Sequence, residues 1–369
     1  MDESRLFTPL NIGNIEIKNR IGMAGVSRFR ADDQHVPTDL MKEYYCQRAS
    51  VPGTLLITEP NLISKRNVGL RNTPGLFTRE QTAAWKTIVE EVHMRASYIF
   101  AQLCVLKHGI LGKEAATIRG PSTISLNTDF PTTKAMSTEE IRDIVRDFVR
   151  AAKNAAEAGF DGVELLGATG DLIDAFTQED TNQRDDEYGG SVENRSRFLH
   201  EVMKAVAHAI GIKRVGLCLS SRSTSQDIRL KESATLQFTD AIKRADNLKI
   251  AYIHLTEPLV AESNGIRDNE WLDFACTAFR GPILVQGGYN SKLARKFVDE
   301  RHPDKDIVVM FGRYFTSNPD LVFRIQHDLE FTPYSQQDLF ATKSFKGYTD
   351  YAFSKEYLGS LNMLTQLLC

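Results

Sequence analysis

Eight short apolar runs, each followed by turn residues and then a helical pattern, constrain this chain more than any other feature. They cover residues 21–26, 53–59, 98–103, 162–166, 215–220, 251–256, 282–286 and 307–311. Runs without polar alternation belong to strands buried on both faces, and strands that alternate with helices build a parallel sheet. Helical periodicity fills the gaps over 79–95, 137–158, 192–210, about 234–246, 269–279, 291–300 and 319–329. The helix at Ser137 opens with a capping box, because Glu140 stands three residues on and the two side chains satisfy each other's orphaned backbone donors. The expected fold is therefore α/β: a single (β/α)8 barrel spanning residues 1–369, with an N-terminal extension and long rim loops at 106–134 and 257–268.

A chain of 369 residues with 42% hydrophobic content can fill such a barrel. Its formal net charge of −3 lacks the basic excess of a nucleic-acid binder. No run of about 18 apolar residues suggests a membrane span, and the first residues lack a secretory pattern, so a cytoplasmic protein is expected. Cys46, Cys104, Cys218, Cys276 and Cys369 are odd in number and far apart, which argues against a disulfide framework and against a zinc signature. No metal is expected from spacing alone, and either a monomer or a homodimer is compatible with the sequence.

Active sites of such barrels lie at the C-terminal ends of the strands, with phosphate usually bound after the seventh and eighth. The seventh run is followed here by Gly287-Gly288-Tyr289 and the eighth by Gly312-Arg313. Glycine allows backbone N–H groups close to a phosphate, and arginine adds a permanent forked cation. Two ordinary tight turns with a surface arginine would read the same way, but their joint position at the rim favours phosphate.

Five strings carry a more specific likeness: LFTPLNIGNIEIKNRIGMA (6–24), AGFDGVELLGATGDLIDAF (158–176), RDDEYGGSVENRSRF (184–198), FGRYFTSNPDL (311–321) and KGYTDY (346–351). In order and in type they resemble signatures of the old yellow enzymes. The resemblance implies FMN across the barrel mouth, NAD(P)H as reductant and reduction of an activated C=C bond. It places Gly288, Gly312 and Arg313 on the flavin phosphate, and Ser27 and Gln102 on the ring. Elsewhere the chain departs from the pattern. Cys218 stands where the family has an arginine beside the ring, and Pro60 where a backbone N–H reaches it. Leu166 and Thr169 replace the donors to the substrate oxygen, Asp171 the proton-donating tyrosine, Cys104 an aromatic residue and Phe340 a tyrosine.

A retained phosphate layer and an altered ring layer leave FMN binding open, and NAD(P)H follows only where FMN works. One expectation is a non-reductive isomerisation or cyclisation of a hydrophobic unsaturated carbonyl compound. Asp171 would be the acid/base, Thr169 a second catalytic group, and Leu166, Cys104, Val105, Cys218 and Phe340 the pocket wall. Asp171 reads equally well as a cap of the helix that follows it, and His254 as a satisfied core histidine. An FMN-dependent NAD(P)H ene reductase and a non-catalytic small-molecule binder are the alternatives.

Overall fold

The computed structural model describes residues 4–67, 71–105, 119–124, 132–220, 232–256 and 270–368. Most of the two expected rim loops, at 106–118, 125–131 and 257–269, lies outside the described residues. Eight parallel strands close on themselves: β1 Ile21–Met23, β2 Leu55–Ile57, β3 Tyr98–Cys104, β4 Gly162–Gly167, β5 Val215–Ser220, β6 Tyr252–Thr256, β7 Ile283–Gln286 and β8 Ile307–Phe311. Each pairs with its sequence neighbour, and β8 returns to β1 through Val309↔Ile21 and Phe311↔Met23. The expected single barrel is what forms.

Strand periodicity explains why the runs are apolar throughout. Side chains of one parity, among them Leu55, Ile57, Phe100, Leu284, Val308 and Met310, fill the interior. Those of the other parity, such as Ile21, Leu56, Ile99, Val163, Leu217 and Val309, pack outward on Trp85, Phe148 and Phe198 of the helices. Burying both faces leaves no place for polar alternation. The N-terminal extension contains an antiparallel hairpin, Leu10–Ile12 with Ile15–Ile17, which the sequence reading did not resolve. Its inward side chains Leu10, Ile12, Ile15 and Ile17 join the interior cluster, and its turn at Gly13 abuts Lys213 and Ala251 at the starts of β5 and β6. The hairpin therefore seals the end of the barrel opposite the mouth.

The capping box at Ser137 is present, with the Glu140 N–H donating to Ser137 Oγ (3.2 Å) and the Ser137 N–H to Glu140 Oε2 (2.8 Å). The helix expected over 192–210 is instead two, Val192–Arg195 and Arg197–Ile210. They part at Ser196, whose hydroxyl accepts a 2.6 Å bond from Gln237. The segment at 291–300 is α-helical only over Ser291–Lys296 before a wider turn, Phe297–Arg301. Helix Leu172–Thr177 follows Asp171 as expected, whereas helices Asp39–Arg48, Arg313–Ser317 and Lys355–Leu368 were not among the expected segments. Among the described residues no helix is long and apolar enough to cross a membrane.

Gly13 has φ +58°, and a Cβ there would lie 2.0 Å from the Lys213 carbonyl oxygen. Gly13→Ala should therefore cost about 2–3 kcal/mol through backbone strain and overlap. Thermal unfolding measures it; an unchanged midpoint would mean that the turn does not press on the barrel floor.

Candidate active site

The strand ends splay into a cavity of about 700 Å³ at the C-terminal rim, walled by the ends of β1, β6, β7 and β8 and by the stretch containing Tyr334 and Phe340. Ser27, Gly288, Gly312 and Arg313 all line it, as expected, and so does Phe340. Gly288 has φ +73°, and a Cβ on Gly312 would crowd Gln286 and Val26 at 3.1 and 3.2 Å. Gly25 is tighter still, since its Cβ would meet the Thr58 carbonyl at 2.6 Å and the Gln102 amide at 3.0 Å. The glycines thus hold open a backbone-walled cradle. Arg313 is the one lysine or arginine among the described residues lining the cavity. Its Nη1 donates to the Tyr334 hydroxyl at 3.0 Å, and its guanidinium carbon lies 5.4 Å from that ring's centre. The tyrosine aims the cation at the cradle, which suits a phosphate.

Beside this half, side chains inside the barrel form a polar layer. Gln102 Nε2 donates to Glu164 Oε1 at 2.7 Å, and His254 Nδ1 lies 3.0 Å from Glu164 Oε2. Glu164 is wholly buried and His254 nearly so. One expectation is refined here: Nδ1 of His254 is satisfied, but Nε2 has no hydrogen-bond partner. Cys218 follows in the same layer, its Sγ 3.6 Å from Thr256 Oγ1, and Thr256 lines the cavity. Burial, with the nearby Glu164 charge, pushes the Cys218 thiol well above its ordinary range, so it is neutral at pH 7. Leu62, Cys104, Leu166 and Ala168 join Cys218 in an apolar patch against Phe77. The N–H of Glu59 donates to the Tyr45 hydroxyl at 3.0 Å and Pro60 has none, so neither serves the mouth.

Asp171 sits at the rim, 3% exposed, between β4 and the helix Leu172–Thr177. It holds the capping position by backbone geometry, but its side chain makes no cap bond to the helix. Instead Oδ2 accepts the Val105 N–H at 3.2 Å, bridging the ends of β3 and β4. Two expectations change. The Val105 side chain packs with the core outside the barrel rather than in the pocket wall, because the strand parity turns it away. Thr169 is exposed on a tight turn, with φ +56° and its N–H donating to Ser220 Oγ at 3.2 Å.

Sequence reasoning missed the lock that carries Leu339 and Phe340 to the cavity. Arg28 Nε and Arg30 Nη1 each donate to the Leu339 carbonyl at 3.0 Å, Arg30 Nε to Ser344 O at 3.0 Å, and Arg48 Nη2 to Tyr348 O at 2.9 Å. Tyr44 and Tyr348 stack at 4.0 Å, with Arg48 4.0 Å over the Tyr44 ring. Glu59 closes the group, its Oε2 accepting the N–H groups of Arg28 (3.0 Å) and Phe29 (3.2 Å). The only sequence hint was three arginines near two runs of aromatics.

Residues 5–331 match the model of the NADH:flavin oxidoreductase / NADH oxidase family. A chanoclavine-I aldehyde reductase of Penicillium roqueforti is 44% identical over 361 residues, covering 96% of this chain and 98% of the relative. A probable inactive reductase of Epichloe festucae var. lolii is 41% identical over 370 residues, covering 97% of each. Among solved structures, the Old Yellow Enzyme of Pichia sp. AKU4542 superposes with a TM-score of 0.86 at 33% identity, covering 95% of this chain and 94% of that one.

Burial raises the Glu59 carboxyl from 4.5 to about 7, against the opposing pull of the two N–H groups and the arginines. A folded-state pKa above the unfolded one gives stability that is complete below about pH 4.5 and is lost as pH rises through about 7. That loss should amount to ~3 kcal/mol. Glu59→Gln should remove it, so urea unfolding at pH 5 and pH 8 should show a flatter dependence than wild type. Parallel curves for the two proteins would mean that Glu59 holds no buried proton.

Proposed function

The chain belongs to the NADH:flavin oxidoreductase / NADH oxidase family, that of the old yellow enzymes, and on this basis we propose that it transforms a hydrophobic unsaturated carbonyl compound without net reduction. Family membership makes it an enzyme of oxidoreductase lineage. The reaction proposed is a shift of the double bond or a ring closure, and the substrate class is an unsaturated aldehyde of specialised metabolism. Relatives named as aldehyde reductases support that class.

One observation carries the reading: the buried residue beside the barrel mouth on β5 is the neutral thiol of Cys218. FMN, when bound, supplies reversible hydride acceptance, and its reduced ring wants a cation at the pyrimidine edge. The phosphate end fits this chain. Gly288, Gly312 and Arg313 would hold it in the cradle, whose wall is so close-packed that a Cβ at Gly25 or Gly312 would press on its neighbours. Ser27 and Gln102 would contact the ring. The pyrimidine edge fits poorly, because Cys218 has no charge to offer and Leu166 no donor. Hydride transfer is handicapped there, whereas proton transfer is not.

Asp171 is the group for proton transfer. Held by the Val105 N–H, its carboxylate takes a proton from the carbon next to the double bond while the electron pair moves through the conjugated system to the carbonyl oxygen. Thr169, at the rim, offers its hydroxyl to that oxygen. The proton then returns to the other end of the dienolate, so the double bond moves and nothing is oxidised or reduced. A second reading, FMN-dependent reduction driven by NAD(P)H, is favoured by Gln102, by Arg313 and by the reductase names of the relatives.

Two measurements test this reading. In anaerobic D2O with an unsaturated aldehyde, wild type should give an isomer carrying deuterium and consume no NADPH. Asp171→Asn should slow that exchange by about 10²–10⁴-fold. Saturated product formed in step with NADPH loss would establish the reductive reading instead. Separately, Arg313→Ala should weaken FMN binding on the order of 10²-fold through lost charge-assisted bonds. Flavin fluorescence quenching reads this directly, and undiminished binding would remove the phosphate from this cradle.

A further inference from the structure

We propose that Glu164, Cys218 and His254 form a binding site for a divalent cation of the zinc class, inside the barrel below the mouth cavity. The three residues lie on the adjacent strands β4, β5 and β6. Cys218 is in register with His254 on one side and with Leu166 on the other, and Glu164 precedes Leu166 by two residues, so it faces the same way. A ring nitrogen, a sulfur and a carboxylate oxygen thus come together, all within 4.8 Å of one another and all buried. Ligands of tetrahedral zinc stand about 3.3–3.8 Å apart, given bonds of about 2.0–2.3 Å. A contraction of about 1 Å, or a change of rotamer, would complete the geometry.

Two further observations point to a cation. Glu164 is a wholly buried carboxylate whose only ion-pair partner among the described residues is His254. A histidine matches that charge only when it carries a second proton, whereas a bound cation matches it permanently. His254 also keeps Nε2 buried without a hydrogen-bond partner. A divalent ion with the Glu164 carboxylate and a Cys218 thiolate is neutral overall, so the metal-bound group, like the free thiol, offers the mouth no net charge. Cysteine ligates zinc as the thiolate, so binding releases the sulfur's proton to solvent as the metal–sulfur bond forms. Gln102, donating to Glu164 Oε1 at 2.7 Å, fixes the carboxylate from behind as outer partners of metal ligands do. A fourth position opens toward Thr256, 3.6 Å from the sulfur and on the cavity wall, where water or a carbonyl oxygen could coordinate. No C-x-x-C spacing announces such a site, because its ligands are 54 and 36 residues apart in sequence, from Glu164 to Cys218 and from Cys218 to His254.

The test uses the full chain, freed of metal by chelator dialysis, incubated with zinc and desalted. Elemental analysis should find about one zinc per chain, and X-ray absorption should find one sulfur among nitrogen and oxygen neighbours, at about 2.3 Å. Cys218→Ala should bind zinc at least ~100-fold more weakly, while Cys46→Ser, altering a thiol remote from the barrel interior, should bind it like wild type. Absence of retained zinc, zinc with no sulfur neighbour, or equal affinity in Cys218→Ala overturns the proposal. Should that variant not fold, the sulfur count in the wild-type spectrum decides alone.

Discussion

A carboxylate inside a closed barrel must find partners there, and Glu164 organises the interior of this one. Its two oxygens engage Gln102 on β3 and His254 on β6, so a single residue on β4 ties three strands together from within. A buried polar group held from two sides in this way favours one arrangement, because alternative packings would strip the carboxylate of its partners. It also commits the Gln102 amide, which in turn stands against Gly25 at the cavity wall. The polar layer therefore sets the floor on which the mouth is built.

Above that floor the mouth has two unlike halves. The side formed by β1, β7 and β8 is backbone-walled, rich in glycine and served by Arg313. The side formed by β3, β4 and β5 is apolar, with Leu62, Cys104, Leu166 and Ala168 around the Cys218 thiol. A ligand with a phosphate at one end and a hydrophobic, uncharged body at the other suits that division. Chemistry that develops negative charge over the apolar half receives little help from the wall itself, which is why the rim carboxylate of Asp171 matters to the reading of function.

The far wall depends on three buried arginines that share one nearby carboxylate, Glu59. Arg28, Arg30 and Arg48 are buried among Tyr44 and Tyr348 and spend their donors on backbone carbonyls of residues 338–348. Guanidinium planes stacked on phenol rings are less strongly hydrated than ammonium groups, so they can be buried this way. The outcome is a short helix, Gln336–Leu339, and an irregular stretch after it that together present Leu339 and Phe340 to the cavity in a fixed position.

The strand pattern was legible in the sequence because burial on both faces leaves a continuous apolar run, and 215–220 and 307–311 were placed to the residue. The runs at 21–26 and 53–59 contracted to Ile21–Met23 and Leu55–Ile57, with single bonds, Ala24 N–H to Phe311 O and Thr58 N–H to Phe100 O, continuing one residue past each. The glycine-lined half of the cavity was legible too, because Gly288, Gly312 and Arg313 come shortly after their strands. Glu164 and its partners were not, for they meet across 62 and 90 residues of chain. Local order records what one strand buries. Only closure of the barrel decides which inward side chains become neighbours, because that depends on the stagger between strands and not on any one of them.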